Sequence, residues 1–268
     1  MISVIIPLYN KEQTILSSIE SVLSQSFQDI ELIVVDDGST DNSVSIVEGI
    51  EDCRIKLIKQ ENAGPGAARN TGARQAKGEW LVFLDADDEL CKGALQHMME
   101  QCREYPNADI IDFNKYLRIN GELQIQHHPL RGYIKNPLKV WYKRMISPGC
   151  GHSIFRTSFV LKHPYDERLR RYEDAEILLQ MLPTARVYSS PTPTEIHDMD
   201  TIAASNPRKD ISEDYVGHLT LSGSFWHKMC TYRLFIEERE NYPEDCRRLY
   251  ASWYYRYDLL LLYKLLNK

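Results

Sequence analysis

Asp85 and Asp87, separated by one small residue, follow directly on the apolar run Trp80-Leu81-Val82-Phe83-Leu84. Such a run suits a strand buried on both faces, and the two carboxylates then emerge where that strand leaves its sheet. The pair can face one hard divalent cation, Mg²⁺ or Mn²⁺, whose remaining positions go to water and substrate phosphate; Ala86 leaves room for a ligand to approach. An Asp-x-Asp can equally be an acidic loop capping the next helix, so the other polar groups of the chain decide its meaning. Asp36-Asp37 ends a second apolar run, Ile30 to Val35. Adjacent carboxylates there repel each other unless a cation or a donor such as a nucleobase imide N–H meets them. Tyr9-Asn10 follows a third run, Ile2 to Ile6 with Pro7, and the Tyr9 ring offers a stacking face.

Further candidates are single groups or short pairs. Arg69 and Asn70 stand among Ala67, Ala68, Gly72, Ala73 and Ala76, where a guanidinium can contact a nucleotide, brace the carboxylates or simply face solvent. Glu173-Asp174 opens a helical pattern; acids are favoured in a first turn by the helix dipole, so capping is the plain alternative to a catalytic role. His197, in the polar stretch Glu195 to Asp200, can serve as a metal or diphosphate ligand or be merely hydrogen-bonded. Ser39 and Asp41 read as helix caps.

Positioning these groups requires a sheet. Strands are expected at 2–6, 30–35, 54–59, 80–84 and 108–113, with apolar positions at helical spacing between them from Ile15, Val44, Ala67 and Ala94. Alternating strand and helix implies parallel strands, which would display Tyr9-Asn10, Asp36-Asp37 and Asp85-Ala86-Asp87 on one sheet edge, where open α/β sheets bind ligands. Asn120-Gly121 between Leu117-Arg118-Ile119 and Leu123-Gln124-Ile125 marks a hairpin. Helices follow near 138–146 and 173–182, then a short strand at 185–188 with His197 in a loop beyond it, and helices at about 212–238 and 244–266. The expected organisation is one domain over 1–205, with a nucleotide half at 1–113 and an acceptor half at 114–205, and a helical extension at 206–268. In the last helix, Trp253, Tyr254, Tyr257, Leu260, Leu261 and Leu265 form an apolar face that would pack on the domain or lie on a membrane, with Arg256 and Lys264 near anionic lipid.

Composition narrows the partners. A net charge of −6 with no basic run argues against nucleic acid, and an acidic protein that binds a phosphorylated ligand needs a metal or local cations. Six scattered cysteines without a Cys-x-x-Cys pair read as reduced thiols. No signal peptide or membrane span is expected, which suggests a cytoplasmic protein, peripheral at the inner face of the membrane if the last helix binds lipid.

The stretches Val4 to Glu12, Val34 to Asp41, Ala68 to Gly72, Phe83 to Asp88 and Glu173-Asp174 ahead of a helix together resemble the family 2 glycosyltransferases. The resemblance implies a GT-A fold, a Rossmann-like open and mainly parallel sheet flanked by helices, here with a C-terminal helical extension. It implies inverting transfer from a UDP-sugar or related donor to a glycan or lipid-linked acceptor in surface polysaccharide or lipid-linked glycan synthesis. Pro7, Tyr9 and Asp37 would then line the base pocket, with Asn10, Glu12, Asp36 and Ala86 also on the donor side. Arg69 would contact the nucleotide, and Asp85 and Asp87 would hold ribose and metal, Mn²⁺ or Mg²⁺. Asp174 would be the base, with Glu173 orienting the acceptor, capping the helix or exchanging roles with it. No Gly-x-Gly-x-x-Gly turn follows the first strand, so a dinucleotide site is not expected. A sugar nucleotidyltransferase would want a glycine-rich basic loop where Leu8-Tyr9-Asn10-Lys11-Glu12 stands. A silent binding module would not need Asp85, Asp87 and Asp174 intact.

Overall fold

The computed structural model describes residues 1–200 apart from residues 127, 144 and 170–172, so the two expected C-terminal helices and their apolar face lie outside the described residues. In the first half, strands β1 (Ile2–Leu8), β2 (Ile30–Asp36), β3 (Ile55–Lys59) and β4 (Trp80–Phe83) alternate with helices α1 (Ile15–Leu23), α2 (Ser43–Glu48) and α3 (Pro65–Gln75). A short β5 (Glu89–Leu90) and α4 (Ala94–Glu104) lead to the long β6 (Ile110–Ile119), which turns through Asn120-Gly121 into β7 (Glu122–Gln126). Then come β8 (Gly132–Tyr133), α5 (Pro137–Tyr142), β9 (Ser153–Arg156), α6 (Thr157–Val160), α7 (Glu173–Met181) and β10 (Val187–Asp198).

The sheet order is β3-β2-β1-β4-β9-β6-β10-β5, with β7 on β6 and β8 on β10. The β3-β2-β1-β4 block is parallel throughout; β9 enters antiparallel, and β6 and β10 pair parallel beyond it. The register aligns the exits: Ile5 pairs with Phe83 and Leu8 with Asp36, so the acids of β2 and β4 leave beside the end of β1.

Alternation along the strands builds a core on each face. Val4, Ile6, Leu32, Val34 and Val82 pack with Ile15, Ile19, Leu95 and Met98 of α1 and α4. Ile5, Ile33, Val35, Leu81 and Phe83 pack with Ala68, Ala73, Ile177 and Leu178 of α3 and α7. The small residues of α3 let it lie close: a Cβ at Gly72 would come within 2.4 Å of Ile5 Cγ2.

Two expectations change. The runs at 108–113 and 117–119 are one strand, β6, and the short strand at 185–188 is the start of the twelve-residue β10, which contains His197. Pro191 and Pro193 hide β10 in the sequence; the chain accommodates them through register shifts between Ser190 and Glu195.

Candidate active site

The loops leaving β1 and β2 are bound to each other. Asn10, in the left-handed region at φ 51°, accepts from Thr40 N through Oδ1 at 2.8 Å, and its own N–H donates to Ser39 Oγ. Asp41 accepts from Glu12 N and Ser43 N, and Glu12 Oε2 accepts from Asn42 N and Nδ2 at 3.0 Å. Asn10, Glu12, Ser39 and Asp41 thus brace the loops that leave β1 and β2 against each other. Asp36 Oδ1 accepts from Ser39 N, and Asp37 accepts from Gln60 Nε2, Ala63 N and Gly64 N, each at 2.8 Å. Three of roughly four acceptor positions on Asp37 are thereby used by the protein. Pro7 is half-buried, the Tyr9 ring is exposed beside these loops, and Ala86 is buried.

Arg69 joins the two halves of the site. Buried on α3, it donates from Nη2 to Asp85 Oδ1 and from Nη1 to Glu173 Oε1, both at 2.8 Å, with its guanidinium 5.5 Å from the centre of the Tyr165 ring. Its Nε finds no hydrogen-bond partner among the described residues. Burial pushes the Asp85 carboxyl up, but Arg69 outweighs it and leaves Asp85 below its usual range; for Glu173 burial prevails and the carboxyl is raised. Asn70 is structural: its amide bonds the Tyr165 backbone on both sides and Glu167 Oε1. Asp87 is paired with Lys11 Nζ at 2.5 Å.

A second polar group lies toward β10. Glu195 and His197, two apart on the strand, share a face with Asp88 from the β4 exit, and the three offer ligand atoms all within 4.8 Å of one another. His197 Nδ1 lies 2.8 Å from Asp88 Oδ2, whose other oxygen accepts from Asp198 N. His152 Nε2 faces the carbonyl of Ser147 at 2.5 Å, so it carries the proton, and Nδ1 faces Glu195 Oε2 at 2.6 Å. Burial lowers His152 to about 4 and raises Glu195 to about 7, so the ring is neutral at pH 7 and the Glu195 carboxyl, when protonated, donates to it. Asp88 is also raised to about 7 by burial. Gly151, at φ +68°, is required there, since a Cβ would sit 2.5 Å from the Glu195 carboxyl carbon.

These groups wall one cavity of about 640 Å³ that also takes in Lys115, Trp141, Cys150, Tyr165 and, at the start of α7, Asp174. Among the carboxylates lining it, Asp174 is the exposed one, ion-paired to no described residue. The cavity thus brings Arg69, Asp85, Glu173, Asp174 and His197 together. His197 has Asp88 and Glu195 as its neighbours rather than Asp87, which faces Lys11. Asp88, Glu195 and His152 were not legible as site residues; the alternating Glu195-Ile196-His197 was a signal, masked by the prolines before it.

Residues 3–163 match the family model of glycosyl transferase family 2. The chain belongs to that family. This family 2 member is 35% identical over 207 residues to the minor teichoic acid biosynthesis protein GgaA of Bacillus subtilis, covering 71% of this chain and 45% of the relative. It is 41% identical over 107 residues to the GalNAc(5)-diNAcBac-PP-undecaprenol beta-1,3-glucosyltransferase of Campylobacter jejuni, covering 38% and 35%. The chain spans less than half the length of these curated relatives. Among solved structures, S. aureus TarS 1-349 in complex with UDP superposes with a TM-score of 0.65 at 27% identity, over 74% of this chain and 60% of that one. The GT-A architecture is therefore that of the family, and no helix among the described residues is long and apolar enough to cross a membrane.

Proposed function

We propose that the protein transfers a sugar from a UDP-sugar to a hydroxyl of a glycan or lipid-linked acceptor with inversion, and that Asp174 is the general base. The observation that carries this is the division of labour at Arg69: Glu173 and Asp85 are tied to the guanidinium, while Asp174, next to Glu173, faces the same cavity exposed. As the acceptor oxygen bonds to the anomeric carbon, the bond from that carbon to the diphosphate breaks and its electron pair leaves with phosphate. The acceptor proton passes to Asp174. Arg69, fixed by two carboxylates and the Tyr165 face, orients Glu173 and Asp85 and holds the donor and acceptor sides in register. The TarS complexes with UDP and UDP-GlcNAc support the donor class, and the undecaprenol-linked relative supports the acceptor class.

The residues also fit a divalent cation. Asp88 and Glu195 are raised to about 7, and Asp87 is raised as well, because burial crowds acids here with too little positive charge beside them. Asp87 and Asp85, emerging together at the β4 exit, would hold the ion through carboxylate oxygens and leave its remaining positions to donor phosphate and water, while His197 stays with Asp88 and Glu195. When bound, such an ion neutralises charge building on the departing diphosphate. Calorimetry with UDP in Mn²⁺ and in EDTA tests the assignment: tight binding is expected only with the metal, and equal affinity in both would remove the cation from the proposal.

A further inference from the structure

Among the described residues, Arg69 meets Asp85 and Lys11 meets Asp87 at the β4 exit, and the two cations are held differently. Arg69 is buried and bonded to two carboxylates. Among the described residues Lys11 makes one ion pair, to Asp87 Oδ2 at 2.5 Å, and its side chain remains 37% exposed against 16% for Asp87. Its backbone is fixed: Lys11 N donates to Ser43 Oγ at 2.8 Å, and its carbonyl accepts from Thr14 N and Ile15 N. The anchored main chain leaves a four-carbon stem free to swing an ammonium. The ion pair bridges the β1 exit, beside Tyr9, to the carboxylate assigned above to a divalent cation.

We propose that Lys11 is a resident counter-ion: it neutralises Asp87 until a divalent cation arrives with the donor diphosphate, and its ammonium then moves to the diphosphate. This rests on the reading of Asp87 as a metal ligand. A divalent ion alone must displace an ammonium that has no better partner, so metal binds weakly to the free protein. When the diphosphate is present, the displaced ammonium gains phosphate oxygens, and the exchange becomes favourable. Metal and donor therefore bind with positive coupling, and Lys11 supplies part of that coupling free energy.

Mn²⁺ affinity, read by electron paramagnetic resonance of the free ion at pH 8 with and without UDP, tests this on the full chain. Lys11→Met keeps the apolar stem and removes the charge; it should bind Mn²⁺ without UDP about tenfold more tightly than wild type, and UDP at saturating Mn²⁺ about tenfold more weakly. Lys11→Arg, which keeps the charge, should bind Mn²⁺ alone as wild type does, separating charge from packing. Asp87→Asn should lose Mn²⁺ in both conditions. Unchanged Mn²⁺ affinity of Lys11→Met without UDP, beside an Asp87→Asn that loses the metal, overturns the role of Lys11 and leaves the metal site standing. Wild-type Mn²⁺ affinity in Asp87→Asn overturns the metal assignment of Asp87, and the exchange with it.

Discussion

Asp37, at the β2 exit, and Asp112, within β6, are both almost completely buried, at 3% and 1% exposure, in opposite surroundings. Asp37 receives two backbone N–H groups and a side-chain amide. Asp112 receives the Ser153 hydroxyl at 3.1 Å, while its Oδ2 finds no hydrogen-bond partner among the described residues, and burial raises it from 3.8 to about 6. The contrast extends to their regions. In the parallel block, loops leaving adjacent strands supply each other's donors, so acids become mortar between them. Around β6, β9 and β10, acids from separate elements are driven together with few donors, and Asp88, Glu195 and Asp112 are all pushed upward. Buried charge that is well solvated by the protein supports a scaffold; buried charge that is not stores affinity for something positive.

The largest effect is expected where the regions meet. Asp174→Asn should lower turnover by about a hundredfold to ten-thousandfold while UDP-sugar affinity, measured by calorimetry, stays near wild type. Near-normal turnover beside an inactive Glu173→Gln would move the base one residue back. Arg69→Met strands Asp85 and Glu173, and removing one partner of a buried ion pair costs about 3–5 kcal/mol, to be read in urea unfolding. Adding Glu173→Leu should recover part of that loss, since the pair and not the charge count sets the cost.

Neutralising the two buried aspartates should act with opposite sign. The folded Asp112 is raised above its ordinary value of 3.8 to about 6, so the stability linked to it is complete below pH 4 and lost as pH rises through about 6. Asp112→Asn removes that loss and should stabilise the fold above pH 7 by up to about 3 kcal/mol, with little change near pH 4. Asp37→Asn turns an acceptor into a donor opposite N–H groups and should destabilise by about 1–3 kcal/mol at both pH values. Thermal melts of the two variants at pH 4.5 and 8 check both signs; two variants of the same sign would dissolve the contrast between the regions.

Most of the parallel block was legible because each of its elements is a local pattern: an apolar run, an acid or turn at its end, and then helical spacing, as in Ile30 to Val35, Asp36-Asp37 and Val44 to Ile50. Arg69 was legible as an anomaly in a small-residue helix, and Gly72 against Ile5 explains why the helix had to be small there. The roles of Lys11, Asp88, His152 and Glu195 were not, because the partners that define them lie far along the chain. For Asp88, His152 and Glu195 the environment comes from β10 crossing beside β6 more than a hundred positions after the β4 exit, and for Lys11 it comes from Asp87 at that exit.

The sequence alone determined the fold class, the family and the set of polar groups displayed at the ends of β1, β2 and β4, since strand exits and hydrophobic periodicity are written in consecutive residues. Tertiary structure decided what each acid touches. Asp37 became a loop tie, Asp85 and Glu173 the two anchors of Arg69, Asp87 the partner of Lys11, and Asp174 the exposed carboxylate of the cavity. The role of a carboxylate depends on which donors and cations lie within about 3 Å of it, and here those partners come from 16 to 104 positions away along the chain.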